Sequence, residues 1–309
     1  MTYGLLARRC AGSLALAWLA AMVSLVPTSA QPLQGVAERL ADPRPLVVAH
    51  RGCWRQPAEN AISAIEHCAD LGVDMVEIDL RATQDGVIVL LHDASLDRTT
   101  NLQGVLRETP YEVVKAARLR EGMGGPDAPL TDQHVATFEQ VLDAAKGRVL
   151  LFLDIKDPIH AQVQQLVRSH GMERQVLYSV NRSFGPALFA GLPMEQTALM
   201  PKFDQYQEGR CLVDRDPAPD MARFETLHAP VFEVVFCDDA YLARVRARAG
   251  RAGLWVNALG PRFMAGREEG DALSRPDAIW GVLLDRGVTA VQTNFPEQLL
   301  AYLKRTGRR

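Results

Sequence analysis

Several residue classes are scarce in this 309-residue sequence, and each scarcity excludes a class of protein. Cysteine occurs only 5 times, which is too sparse for a small disulfide-stapled scaffold. The 23 glycines follow no three-residue period, so a collagen-like fibre is excluded. Hydrophobic residues make up 48% of the chain, far more than a disordered protein contains. The chain is therefore globular, with room for one domain of roughly 250 residues or two smaller ones.

An excess of positive charge is also missing. The formal net charge is −3, and the lysines and arginines are not concentrated in one long stretch. Nucleic acid is therefore not an expected partner, because binding its phosphate backbone requires concentrated positive charge. A small phosphate-bearing molecule stays possible, since a few local cations are enough to hold one.

A long apolar run occurs near the amino terminus, at residues 11–26. Two arginines precede it, and Pro27 and a group of small residues ending at Ala30 follow it. This order is typical of a signal peptide, so we expect residues 1–30 to be cleaved and residues 31–309 to form one secreted or periplasmic domain. An uncleaved anchor is the alternative, although the run is somewhat short for a span of about 20 residues. No comparable run follows, so we expect no stable membrane span after cleavage.

Short apolar runs alternate with longer amphipathic stretches along the rest of the chain. The pattern predicts strands at 46–50, 74–79, 149–156, 175–179, 197–200, 231–236, 254–257 and 289–293, and helices at 60–71, 159–170, 183–190, 239–249 and 276–286. Eight strands alternating with helices favour a (β/α)8 barrel of the TIM type. A doubly wound open sheet is the alternative, but no dinucleotide-type glycine fingerprint follows the first strand. The glycine- and proline-containing stretch at about 94–135 interrupts the alternation and is interpreted as an insertion over one face of the barrel.

Polar residues end three of the predicted strands, where a barrel of this kind places its active site. His50 and Arg51 follow the first strand, and Glu77 and Asp79 end the second, on one face because side chains alternate along a strand. The third strand ends in Asp154-Ile155-Lys156, with the same spacing.

A hairpin is predicted directly after the second of these strands. Asp85-Gly86 is a two-residue turn signal, and counting back from it pairs Asp79 with His92. The hairpin therefore brings a second histidine beside the carboxylates.

The converging carboxylates Glu77, Asp79 and Asp154 indicate a divalent cation, because close negative charges are costly without one. An all-oxygen ligand set favours Mg²⁺ or Ca²⁺ over zinc. His50 and His92 then remain free as a general acid and base for displacement at phosphorus.

Two cationic side chains lie close to these residues in the sequence, Arg51 directly after His50 and Lys156 two residues after Asp154. Arg51 offers paired donors to phosphate oxygens, and Lys156 offers a compact positive charge. The expected partner is therefore a small phosphodiester.

The ordered set of these motifs resembles the glycerophosphodiester phosphodiesterase family, in the superfamily of phospholipase C-like phosphodiesterases. The matching residues are His50-Arg51-Gly52, Glu59-Asn60, Glu77-Ile78-Asp79, Thr83, Asp85-Gly86, His92-Asp93 and Leu96-Asp97-Arg98-Thr99-Thr100, followed by Leu153-Asp154-Ile155-Lys156, Trp255-Val256-Asn257 and Val291-Gln292-Thr293-Asn294-Phe295-Pro296. The resemblance implies a metal-dependent barrel hydrolase that releases glycerol 3-phosphate. It also implies that Glu59 and Asn257 contact the substrate or support the metal.

The sequence departs from the usual pattern of the family at several positions, and two of these lie next to predicted site residues or strand ends. The third-strand acid is usually glutamate, so Asp154 is shorter by one methylene and is expected to bind the metal directly or through water. Asn294 stands where aspartate is common.

Two rival functions stay open. One is a phospholipase D-like enzyme acting on lysophospholipids or sphingolipids, which would need an exposed apolar rim. The other is a non-catalytic phosphodiester-binding protein, which would not need two histidines.

Four cysteines follow the predicted signal peptide, and three pairings are possible among them. Cys211 and Cys237 both fall near the ends of neighbouring strands and are a candidate pair. Cys68 lies well along a helix from Cys53, so that pairing is not favoured.

Overall fold

Eight parallel strands close into a barrel in this computed structural model, which describes residues 1, 33–55, 57–180 and 196–309. The barrel strands are β1 (Leu46–Ala49), β2 (Met75–Ala82), β6 (Leu150–Ile155), β7 (Val176–Val180), β8 (Ala198–Asp204), β11 (Val231–Val235), β12 (Gly253–Ala258) and β13 (Ala290–Thr293). They follow one another around the barrel in the order β1-β2-β6-β7-β8-β11-β12-β13, and β13 pairs with β1 to close it. The eight predicted strands and the (β/α)8 architecture are confirmed.

Helices surround the barrel, and short strands decorate it. The helices are α1 (Val36–Ala41), α2 (Ile62–Leu71), α3 (Tyr111–Val114), α4 (Phe138–Ala145), α5 (His160–Ser169), α6 (Ala218–Ala222), α7 (Asp239–Arg248), α8 (Val282–Asp285) and α9 (Pro296–Arg305). The added strands are β3 (Ile88–Leu90), β4 (Arg118–Arg120), β5 (Leu130–His134), β9 (Tyr206–Gln207) and β10 (Arg210–Cys211). Nearly all of the predicted signal peptide and the predicted helix at 183–190 lie outside the described residues. Within the described ranges, no helix combines the length and hydropathy needed to cross a bilayer.

Apolar side chains fill two layers, one inside the barrel and one between strands and helices. On β1, Val48 points into the barrel beside Met75, whereas Val47 packs toward the surrounding helices. Both faces of each strand are therefore buried, which is why the strands appear in the sequence as short uninterrupted apolar runs. Polar residues begin only where the strands reach the carboxyl-end mouth.

The hairpin after β2 forms, but its predicted register is wrong by one residue. Strand β3 pairs antiparallel with β2 and places Leu80 opposite Leu90, so that Asp79 does not lie opposite His92. The loop has three residues, 84–86, and ends in a glycine with φ 83°, a hairpin type that sequence alone does not separate from the two-residue turn. His92 still reaches the mouth, because β3 ends at Leu90 and the chain then leaves the ladder.

The insertion at 94–135 contains α3, β4 and β5 and has an apolar cluster of its own. Leu96, Leu106 and Leu119 pack there against residues of β3 and of the α2 region. The insertion reaches the barrel mouth through Gly122, whose backbone N–H donates to the carbonyl of Pro57. It is therefore a packed extension over the mouth of the barrel.

Two disulfides are present, and one of them corrects the sequence prediction. Cys211 and Cys237 are bonded, as the candidate pairing proposed. Cys53 and Cys68 are also bonded, so the expectation against this pair was wrong. The loop after β1 folds back along α2, where the Cys53 N–H donates to the carbonyl of Ala64, and this brings the two cysteine Cα atoms to 5.3 Å.

Asp74, just before β2, gathers three distant parts of the chain. Its carboxylate accepts from Arg39 on α1 at 2.8 Å, from the Val47 N–H at 2.8 Å and from Arg309 at 2.6 Å. Arg309 is therefore part of an ion-pair network beside the junction of β1 and β2.

Candidate active site

A cavity of about 530 Å³ opens at the carboxyl ends of the barrel strands. Its walls contain eight of the nine residues predicted for the site, namely His50, Arg51, Glu77, Asp79, His92, Asp154, Lys156 and Asn257. Glu59 is the exception, because it lies behind Arg51 and is only 2% exposed.

The three predicted metal-binding carboxylates meet on neighbouring strands. Asp79 on β2 lies directly opposite Asp154 on β6, and Glu77 lies two residues earlier on the same face of β2. Oxygen atoms of all three lie within 4.8 Å of one another. Burial, together with the charges of Asp79 and Asp154, raises the pKa of Glu77 well above its ordinary value.

Two cations partly balance these negative charges. The Lys156 ammonium lies 2.5 Å from Asp154 Oδ2 and 3.1 Å from Asp79 Oδ1. The Arg51 Nε lies 3.4 Å from Asp79 Oδ2, and the Arg51 backbone N–H donates to Glu77 at 2.9 Å. Burial opposes ionisation of Asp79, but the charges of Lys156 and Arg51 outweigh it and lower the pKa of Asp79.

The donor set fits a hard divalent cation. It consists of carboxylate oxygens only, and Asp79 Oδ1 is buried without a hydrogen bond, its nearest charged neighbour being Lys156. A divalent cation among the three carboxylates would relieve the repulsion that, after burial, raises the pKa of Glu77. Oxygen ligands of this kind suit Mg²⁺ and Ca²⁺.

His50 is held by a neutral amide. Its Nδ1 lies 2.8 Å from Asn294 Oδ1, and because an amide oxygen only accepts, Nδ1 carries the proton and Nε2 has a free lone pair. Burial, followed by the charge of Arg51, lowers the pKa of His50 to about 4. The imidazole is therefore neutral at neutral pH and able to accept a proton.

His92 is held by a carboxylate and is more accessible. Its Nδ1 lies 2.7 Å from Asp93 Oδ1, and 35% of its side chain is exposed at the mouth. Asp93 is itself fixed by Arg98, whose Nε donates to Asp93 Oδ2 at 2.7 Å. Hydrogen bonding to Arg98 is the largest influence on Asp93 and holds the pKa of this carboxyl far below its usual range.

Glu59 and Asn60 support the site from behind. Glu59 accepts from Arg51 Nη1 and from both terminal nitrogens of Arg98, so it links the β1 loop to the insertion. Asn60 donates to Asp79 Oδ2 at 2.8 Å, and its side-chain oxygen accepts from the Asp79 N–H at 3.1 Å. Both residues therefore orient groups that face the cavity.

Several other residues of the cavity wall were not assigned to the site from the sequence, although Gln292 and Asn294 belong to the motif of the last strand. Lys202 on β8, Glu233 on β11 and Gln292 on β13 also line the cavity, as do Ser179 and Asn294. A charged or amide residue inside an otherwise apolar strand was the available signal for the first three. Sequence reasoning weighted only the residues that end a strand.

The sequence profile of the Glycerophosphoryl diester phosphodiesterase family matches residues 50–190. A domain of unknown function matches residues 213–303. The uncharacterized protein YqiK of Bacillus subtilis is 28% identical over 264 residues, which are 84% of this chain and 98% of that protein. A glycerophosphodiester phosphodiesterase of the same species is 26% identical over 84% of this chain and 86% of its own length.

Solved structures share the fold. A glycerophosphoryl diester phosphodiesterase from Parabacteroides distasonis superimposes with a TM-score of 0.70 at 21% identity, covering 89% of this chain and 94% of that chain. An Oleispira antarctica phosphodiesterase, solved with the product sn-glycerol-3-phosphate, gives a TM-score of 0.62 at 18% identity, covering 84% and 97%.

Proposed function

Because this chain belongs to the glycerophosphoryl diester phosphodiesterase family, we propose that it hydrolyses glycerophosphodiesters to an alcohol and glycerol 3-phosphate. The observation that carries this proposal is the convergence of two histidines, three carboxylates and two cations in one cavity. A phosphodiester needs these groups, because its cleavage moves two protons while negative charge builds up at phosphorus.

Glu77, Asp79 and Asp154 would hold the metal, either Mg²⁺ or Ca²⁺. When bound there, the cation would supply positive charge that stabilises the negative charge building up on the phosphoryl group. Arg51 and Lys156 hold the phosphate oxygens from the same side of the cavity. Glu59 positions Arg51 instead of touching the substrate, since its oxygens face Arg51 and Arg98. Asn257 contacts the substrate from the opposite wall.

The two histidines have different roles in the first step. The glycerol hydroxyl next to the phosphate attacks phosphorus, and His50 Nε2 takes its proton, since this nitrogen is unprotonated. The bond from phosphorus to the alcohol oxygen breaks, and His92 at the open side of the cavity protonates the departing oxygen. The products of this step are the free alcohol and a cyclic glycerol phosphate.

The second step reverses the proton transfers. His92, now neutral, takes a proton from water as the water oxygen attacks phosphorus. The ring oxygen leaves phosphorus and receives the proton that His50 holds. Glycerol 3-phosphate is released, and both histidines return to their starting states.

We further propose that the protein acts outside the cytoplasm, as a secreted or periplasmic enzyme. The predicted signal peptide at 1–30 motivates this location. The two disulfides support it, because such bonds persist in oxidising compartments.

A lysophospholipid substrate is less well supported. Of the insertion residues that could form an apolar rim, Leu106 and Leu119 are at most 2% exposed, Tyr111 does not line the cavity, and Met123 is left to line it. A protein that only binds phosphodiesters would not need the hydrogen bonds with Asn294 and Asp93 that orient His50 and His92.

The test is hydrolysis by the purified protein with added Mg²⁺ or Ca²⁺. Glycerophosphocholine, glycerophosphoethanolamine and lysophosphatidylcholine are the substrates, and each is assayed with and without a chelator. We expect metal-dependent release of glycerol 3-phosphate from at least one glycerophosphodiester. Absence of that product from every diester would sink the proposal, and choline release from lysophosphatidylcholine alone would favour the phospholipase D-like alternative.

A further inference from the structure

Glu269 is a buried carboxylate next to the cavity wall that the proposed reaction steps do not use. It begins a short 3-10 helix, Glu269–Leu273, in the connection between β12 and β13, and it is only 3% exposed. Burial raises the pKa of this carboxyl to about 7, against the opposing effect of the hydrogen bonds that it accepts. Burying a carboxylate is costly, so the groups that bond to Glu269 indicate what it is used for.

The hydrogen bonds that Glu269 accepts from the described residues come from the end of β13. The Thr293 hydroxyl donates to Oε1, and the Asn294 backbone N–H lies 3.3 Å from Oε1 and 3.2 Å from Oε2. Thr293 is the last residue of β13 and pairs with Ala49, so Asn294 is the first residue beyond the ladder. Glu269 therefore fixes the point at which the chain leaves the barrel and enters the cavity wall.

Arg55 holds the other backbone group of Asn294. Its Nε donates to the Asn294 carbonyl at 3.2 Å, and its guanidinium lies 4.0 Å from the centre of the Phe295 ring and 5.0 Å from that of Trp54. The positive charge of Arg55 also acts on Glu269, since it favours the ionised form of that carboxyl. The N–H and the carbonyl of Asn294 are therefore both held by charged side chains.

Asn294 is the residue that orients His50. Its Oδ1 lies 2.8 Å from His50 Nδ1, and the His50 N–H donates to the Thr293 carbonyl at 3.1 Å. The hydrogen bond at one ring nitrogen decides which nitrogen of a histidine carries the proton. The place of the Asn294 amide, and with it the tautomer of His50, therefore depends on the contacts that hold the Asn294 backbone.

We propose that Glu269 and Arg55 are positioning residues for His50: they hold the backbone of Asn294, so that its amide oxygen keeps the proton on Nδ1 and leaves Nε2 free to accept the hydroxyl proton. This inference rests on the proposed hydrolysis of glycerophosphodiesters, in which His50 is the base of the first step. Neither Glu269 nor Arg55 lines the cavity, so both act through His50 and not on the substrate.

Steady-state kinetics of Glu269→Gln and Arg55→Met provide the first test. Glutamine keeps the volume of glutamate but has one acceptor oxygen in place of two, and methionine lacks the donors of arginine. At a pH well above the pKa of Glu269, we expect kcat for the best-cleaved glycerophosphodiester to fall about tenfold in each variant, with KM within about twofold of the wild type. Glu268→Gln and Arg251→Met make the same changes at exposed positions and should leave kcat and KM unchanged.

A double-mutant cycle separates positioning of His50 from a general effect on the fold. In the His50→Ala background the base is gone, so Glu269→Gln and Arg55→Met should each change the residual kcat by less than about twofold. The same loss in both backgrounds would mean that the two residues only support the fold, and it would overturn the proposal. Full activity of either single variant, or a loss confined to KM, would overturn it as well.

NMR of the imidazole nitrogens gives a readout that does not need turnover. His50, identified by the signal that His50→Ala lacks, should be a single neutral tautomer protonated at Nδ1 in the wild type and in both controls. We expect a mixture of the two tautomers in Glu269→Gln and in Arg55→Met. An unaltered tautomer in either variant would overturn the positioning role, even if the wild type cleaves no diester and the proposed function fails. If Glu269→Gln does not fold, Arg55→Met decides both tests, because its side chain is exposed.

Discussion

His50 and His92 differ in the chemical nature of their Nδ1 partners. The partner of His50 is the neutral amide of Asn294, and the ring is buried beside Arg51, so its pKa falls to about 4. The partner of His92 is the carboxylate of Asp93, and the ring stands at the open side of the cavity. A buried neutral imidazole suits a base, and an accessible imidazole oriented by a carboxylate suits the acid that protonates the leaving alcohol.

Replacing either histidine by alanine should remove most of the turnover. We expect kcat to fall about 100- to 10,000-fold in His50→Ala and in His92→Ala, because each removes one proton-transfer group. Metal binding, measured by calorimetry, should remain, since neither ring belongs to the carboxylate cluster.

His67→Ala is the matched control for these two variants. His67 lies on α2 with 40% of its side chain exposed, and its removal should leave kcat unchanged. A fully active His92→Ala would contradict the assignment of the acid.

At this scale the sequence predicted the polar residues that end predicted strands and missed those elsewhere. Glu77, Asp79 and Asp154 fall at the ends of two predicted strands, although β2 itself continues to Ala82, so their convergence could be anticipated from parallel pairing alone. Lys202 and Glu233 lie inside strands, and only the closed barrel shows that they face one cavity. Glu59 could not be placed either, because its partner Arg98 comes from 39 residues away.

The turn between β1 and α2 illustrates how one element positions the site. Arg51 has φ 55°, in the left-handed region that non-glycine residues seldom occupy, and Gly52 follows with φ 87°. This backbone directs the Arg51 N–H at Glu77 while the side chain reaches Glu59. The rare conformation at the cavity wall suits a positioning function for this turn.

Gly52→Ala should destabilise the protein more than the same change at Gly86. Both glycines have similar positive φ values, 87° and 83°. A Cβ at Gly52 would lie 2.9 Å from the Cβ of Ala64, whereas a Cβ at Gly86 meets nothing within 4 Å. We expect Gly86→Ala to lower the free energy of unfolding by about 1 kcal/mol and Gly52→Ala by about 2 to 4 kcal/mol.

Urea denaturation at one pH measures both losses, and kcat gives a second readout. Gly52→Ala should also lower kcat because it displaces Arg51, while Gly86→Ala should leave kcat unchanged. Equal losses of stability in the two variants would mean that the contact with Ala64 costs nothing.

At the scale of elements, two predictions were wrong for the same reason. One was the register of the hairpin, and the other was the expectation that Cys53 and Cys68 are not bonded. The hairpin register and the disulfide both depend on the conformation of a loop, and the periodicity of strands and helices does not predict loop conformation. The turn at 84–86 takes one residue more than the Asp-Gly signal indicated. The loop after β1 returns along α2 instead of leaving it, which carries Cys53 to Cys68.

The architecture of the whole molecule was predictable because burial on both faces leaves a strong signal in each strand. Val47 and Val48 are both fully buried, one under the helices and one inside the barrel, and the other barrel strands follow the same rule. Alternation of such runs with amphipathic helices gives the barrel without any knowledge of loops.

The stability of the whole molecule should depend on the protonation of Glu269. Burial raises the pKa of this carboxyl to about 7, from an ordinary value of 4.5. Between these two pH values the folded state binds more protons than the unfolded state, so the free energy of unfolding contributed by Glu269 falls as pH rises and levels off above pH 7. Glu269→Gln does not titrate, and its stability relative to the wild type should rise by about 3 kcal/mol between pH 4.5 and pH 8.

Urea titrations of both proteins at several pH values measure this difference. Glu268→Gln, at the exposed neighbouring position, is the control and should show no pH-dependent difference from the wild type. A constant gap between Glu269→Gln and the wild type across the range would contradict the raised pKa.

The contacts of Asp74 with three distant parts of the chain affect the solubility of the protein. β1 and β2 pair over only two residue pairs, Val48 with Met75 and Ala49 with Val76, and Asp74 ties Arg39, the Val47 N–H and Arg309 together beside this junction. If this junction opened, two apolar strands would expose unpaired backbone edges, which are templates for pairing with other chains. Because it holds this junction shut, we expect the Asp74 carboxylate to protect the molecule against edge-to-edge aggregation.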